Sequence, residues 1–106
     1  MHNLVKRPID PARVRRMPRQ FGALDRNLVY RNHVGRLGRD AFALYALLVC
    51  VSDPLGLSYY SDRKLCQLLG LEPELLARAR YALVHFGLVL HQPPFYQLLD
   101  LPEASA

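Results

Sequence analysis

Tyr60-Ser61-Asp62-Arg63-Lys64-Leu65-Cys66-Gln67-Leu68-Leu69-Gly70-Leu71-Glu72-Pro73-Glu74 holds a complete set of helix stop and start signals. Ser61 is a good N-cap, because its hydroxyl can accept from a backbone N–H left free in the first turn. Asp62 then sits at the positive end of the helix dipole. A helix over 62–69 would bury Leu65, Leu68 and Leu69, with Cys66 beside them. Gly70 can take the left-handed conformation that ends a helix. Pro73 is preorganised for a first helical position, with Glu72 and Glu74 around it. A second helix therefore runs from Pro73 to about Phe86, where Gly87 stops it. Two helices joined by so short a turn form a helix-turn-helix.

On the N-terminal side, a helix opens at Gly38 or Arg39 and runs through Val51. Phe42, Tyr45, Leu48 and Val49 are spaced to face a core. This segment is apolar nearly all round, which marks a buried central helix. Asp53-Pro54-Leu55-Gly56 follows with the residue order of a tight turn, and Leu57 to Tyr60 alternates as a short strand. Leu28 to Tyr30 also alternates, so a short extended piece is expected there. On the C-terminal side, Leu88 to His91 and Phe95 to Leu101 form a β-hairpin around Gln92-Pro93-Pro94, since prolines cannot donate to a ladder and suit a tip.

The expected fold is α+β and mostly helical, in one domain of helix, short strand, helix-turn-helix and hairpin. The chain has 106 residues, which leaves no room for two ordinary cores. Residues 1–20, with Pro8, Pro11 and Pro18 among six cations, read as a flexible basic arm. The domain is expected over 21–102, and 103–106 as a frayed tail.

The net charge of +5 is unevenly spread. Residues 1–39 carry ten cations and two acids, net +8; residues 40–106 carry four cations and seven acids, net −3. Such a split points to a polyanion partner for the N-terminal third. Twelve of the 14 cations are Arg, which a GC-rich genome would also favour.

The order of elements over Arg39 to Leu101 resembles a winged-helix DNA-binding domain. Residues 27–48 are similar to the corresponding stretch of plasmid replication initiators and related small bacterial regulators. The matching signals are Tyr60-Ser61-Asp62, Leu65 to Leu71 through the turn, Ala82-Leu83, and Gly87-Leu88-Val89. The resemblance implies that the helix after the turn enters the major groove of double-stranded DNA. With Leu75, Leu76, Ala79, Leu83 and Phe86 buried, its outward stripe would be Glu74, Arg78, Tyr81 and His85, flanked by Ala77 and Arg80. Arg78, Arg80 and Tyr81 are the candidate readers, with Arg63 and Lys64 on the phosphate backbone. The tip Gln92-Pro93-Pro94 has no Lys or Arg to place in a minor groove. The missing attraction would come from residues 6–39, above all Arg13, Arg15, Arg16 and Arg19. A dimer is expected, because one short domain has limited contact area.

The same residues are open to other functions. A protein-binding module would use the uncharged hairpin tip, with Pro93, Pro94, Phe95 and Tyr96. A single-strand binder would stack bases on Tyr59, Tyr60, Tyr81 and Tyr96. Arg78 could also pair with Glu74 on a solvated face. No His or Cys pair has metal-ligand spacing and no phosphate loop appears, so neither metal nor cofactor nor enzyme is expected. Cys50 and Cys66 form no disulfide framework, which suits a reduced cytoplasmic protein. The longest apolar run, Ala41 to Val51, is 11 residues, too short to cross a bilayer, so no membrane partner is expected.

Overall fold

The computed structural model describes residues 4–102. The expected tail at 103–106 and the first three residues of the arm lie outside them. The fold is α+β and helix-rich, with five α-helices and one small antiparallel sheet.

Among the described residues, 4–20 are all exposed, and their one regular element is a 3-10 turn at Pro11–Arg13. The Asp10 carboxylate accepts the Ala12 N–H there at 3.1 Å. The body starts with α1 (Asn27–Tyr30) and α2 (His33–Leu37). The extended piece expected at Leu28 to Tyr30 is therefore helical. Asp25 accepts the Asn27 N–H at 2.8 Å and opens α1, and Asn32, at φ 58, separates it from α2. Of the alternating residues only Leu28 is buried; Val29 and Tyr30 both face solvent, so no inward face exists for a strand to use.

Helix α3 (Arg39–Val51) is the central element, with Ala41, Leu44, Tyr45, Leu48 and Val49 buried. Phe42 is half-buried rather than central. The turn at Asp53–Gly56 forms as the sequence suggests, with the Gly56 N–H donating to the Asp53 carbonyl at 2.9 Å. Strand β1 is only Leu57–Ser58, so Tyr59 and Tyr60 leave the sheet that alternation assigned them to.

Helix α4 (Asp62–Leu69) starts and ends as read. Ser61 Oγ accepts the Lys64 N–H at 3.1 Å, and Gly70 sits at φ 66, ψ 34. The Leu71 N–H reaches back to the Cys66 carbonyl at 3.1 Å and closes the helix end. Leu65 is fully buried, whereas Leu68 is 50% exposed. Leu65 sets the inward direction and Leu69, four residues on, shares it; Leu68 is turned toward solvent.

Helix α5 (Pro73–His85) packs chiefly on α3 through Leu76, Ala79 and Leu83. Leu75 lies at the margin, exposed rather than buried, and Phe86 is half-buried. Strands β2 (Val89–Gln92) and β3 (Phe95–Leu98) make the hairpin. Gln92 pairs with Phe95, so the tip is the two residues Pro93-Pro94, joined by a cis peptide bond. Strand order is β1-β3-β2, antiparallel throughout. Leu88, Val89 and Tyr96 complete the core beneath the helices.

Candidate nucleic-acid interface

The outward face of α5 is set by its buried one. With Leu76, Ala79 and Leu83 turned inward, the exposed positions include Glu74, Ala77, Arg78, Tyr81, Val84 and His85. Tyr81 is 69% exposed and stacks on His85 four residues on, with ring centroids 5.6 Å apart. The pair gives α5 a flat aromatic ledge beside Arg78. Arg78 makes no salt bridge within the described residues, and the pairing with Glu74 that spacing allows does not form.

Arg80 has a different place. Its guanidinium donates to both Asp62 oxygens, at 2.7 and 3.0 Å, and to the Tyr96 hydroxyl at 2.7 Å. This clamp ties α5 to the start of α4 and to β3. The bidentate contact holds the Asp62 carboxyl below the usual carboxylate range and raises the guanidinium further. Burial pushes the Tyr96 hydroxyl up. The Arg80 side chain is 18% exposed; a base contact by it would sacrifice three internal hydrogen bonds. Helical spacing explains this, since Arg80 is four residues after Leu76 and three before Leu83, on the inward side of the helix.

Arg63 and Lys64 are exposed on the first turn of α4, free of salt bridges among the described residues. Arg13, Arg15, Arg16 and Arg19 are all exposed along the arm; Arg13 ends the short 3-10 turn and none lies on an α-helix.

The fold adds two cations that sequence reading placed only in a regional count. Arg36, on the last turn of α2, lies 5.8 Å over the ring of Phe86 at the end of α5. Arg39, at the start of α3, lines one cleft of about 300 Å³ together with Arg78, Leu75 and Ala82. The end of α2 and the start of α3 thus each place a cation beside α5. The signal for this was Gly35-Arg36-Leu37-Gly38-Arg39, where Leu37 is buried and its two arginine neighbours are exposed.

Comparison with known families, curated proteins and solved structures finds no match to this chain. Among the described residues, no group of three His, Cys, Asp or Glu side chains could hold a metal ion. None of their helices is long and apolar enough to cross a membrane. Cys50 is exposed on α3 and Cys66 is half-buried on α4.

Proposed function

We propose that this chain is a double-stranded DNA-binding protein of winged-helix type, acting as a small transcriptional regulator or as an accessory factor of a replication or mobile-element system. The observation that carries the reading is the α4-turn-α5 unit. It is backed by a three-stranded sheet of order β1-β3-β2 and presents an exposed α5 face with Arg78 and Tyr81. In this reading α5 enters the major groove, and Arg78 pairs with a guanine edge or a phosphate. Tyr81 donates to phosphate, while Arg36, Arg39, Arg63 and Lys64 hold the flanking backbone. Arg80 sets the angle between α4 and α5 instead of reading bases. The arm supplies further phosphate contacts, as basic arms do beside other reading helices.

A titration of the full chain with duplex DNA at two salt concentrations tests this. About six neutralised phosphates give a log-log salt slope of about −5. Arg78→Ala should lower preference for the selected site by roughly ten- to a hundredfold. Absence of duplex binding at low salt overturns the reading.

A second reading, a protein-interaction module, draws on a specific feature. The hairpin tip carries no cation, and Phe95 beside it packs edge-on against Tyr59 at 5.8 Å. Full-chain capture of a protein partner that is lost in Phe95→Ala and kept in Arg78→Ala would favour it.

A further inference from the structure

On the hairpin side of the fold, a cleft of about 510 Å³ opens between the end of α3, β1 and the start of β3. That volume is in the range of ligand sites. Its walls include Tyr59, Tyr60 and Phe95, and its acid is Asp53; no Lys, Arg or His lines it. Asp53 Oδ1 accepts the N–H groups of Leu55 and Leu57, at 2.8 and 2.9 Å, and is thereby fixed in place. Ser58, only 7% exposed, contributes a buried hydroxyl with no hydrogen-bond partner. Helix α3 ends at Val51 on the same wall, bringing the negative end of its dipole to the site.

Every electrostatic element here has one sign. Aromatic faces, a carboxylate and a helix C-terminus all favour a cation and disfavour phosphate. A bare metal ion would find one carboxylate and aromatic walls, far short of a coordination shell. A guanidinium fits the set: its plane lies against a ring and it donates to a carboxylate.

We propose that this cleft receives an arginine side chain from the arm of a second copy of the chain. Residues 4–20 carry six cations and one acid and are exposed throughout, and none of them lines the cleft of its own molecule. The cleft carries the charge of Asp53 and no cation, opposite in sign to the arm, so arm and cleft attract between copies. Seventeen residues of extended arm span up to about 55 Å, enough to reach across a neighbouring body. Exchange of two arms gives a closed, two-fold pair. This contact does not rest on the DNA reading and is tested without DNA.

The experiment is sedimentation equilibrium of the full chain with two variants. Asp53→Asn keeps the Oδ1 acceptor and so the turn, but removes the charge. The second variant carries Gln at positions 13, 15, 16 and 19. The full chain should associate to dimers, more weakly at high salt. Each variant alone should weaken association at least about tenfold, the worth of a cation–π contact plus an ion pair. Mixing the two variants should recover part of it, because one supplies an intact cleft and the other an intact arm. Tyr59→Ala, which removes an exposed ring, should behave as Asp53→Asn if the latter fails to fold. A chain that stays monomeric at millimolar concentration, a dimer indifferent to both variants, or a mixture no better than its components each overturns the proposal.

Discussion

At the scale of single residues, the clamp of Arg80 on Asp62 and Tyr96 has consequences for stability that a solvated arginine would not have. The folded carboxyl of Asp62 titrates below its ordinary value because Arg80 hydrogen-bonds it. A depressed folded pKa means stability that is present above about pH 4 and lost as pH falls through the folded value. Asp62→Asn should therefore cost about 1 kcal/mol at neutral pH, modest because Asp62 is largely exposed. Urea melts should show the gap to the unsubstituted chain closing as pH falls below the ordinary carboxylate range, about pH 4. His91, stacked on Tyr96 at 4.2 Å, is lowered by burial and then by the Arg80 charge. The unfolded chain takes up this proton near pH 6.5 and the folded chain only further down, so stability should fall as pH drops from about 6.5. His91→Gln should remove that part of the slope, read as the difference between the two proteins' urea midpoints. None of this was legible from residue order, since Asp62 and Tyr96 lie 18 and 16 positions from Arg80. Only the inward side of α5 could have been read, from the spacing of Leu76, Arg80 and Leu83.

At the scale of elements, the helix-turn-helix was legible because its signals are local. Ser61, Gly70 and Pro73 act on their own or adjoining residues, and each does so as its chemistry dictates. Gly70→Ala tests the turn alone. A Cβ there meets nothing within 4 Å, so the cost is that of the positive φ, about 1 kcal/mol in a thermal melt. Gly22→Ala is different in kind: a Cβ there would lie 2.7 Å from the Val49 carbonyl oxygen, so the segment leading into the body must move off α3. Loss of the nuclear Overhauser contacts between residue 22 and Val49 should report that displacement. The misread elements are those whose conformation is decided from outside. Leu28 to Tyr30 alternates as a strand does, but no sheet is in reach, and Asp25 with Asn32 winds it into helix instead. Tyr59 and Tyr60 alternate as well, yet on that edge of β3 only Leu57 and Ser58 are paired.

At the scale of the whole molecule, the charge split survives folding in a more useful form than a basic arm on an acidic body. Arg36 and Arg39 belong to the body and stand beside α5, so cationic character reaches that helix without the arm. The two sources should separate experimentally. Gln at positions 13, 15, 16 and 19 should flatten the salt slope of duplex binding by about 3 to 4, with site preference kept. Arg39→Gln should flatten it by about 1, with the arm intact. The wall of the hairpin lacks such cations altogether, which is why its aromatic cleft takes the opposite partner.

The Arg80 clamp also supplies a way to follow this fold through distant descent. Leucines in a core of this size can be traded for one another with little loss, so the apolar pattern would blur early between diverging chains. An acid at the first position of α4, an arginine at the eighth of α5 and a tyrosine at the second of β3 are coupled instead, because the arginine's hydrogen bonds depend on both of the others. Those three, at separations of 18 and 16, should change together when they change at all.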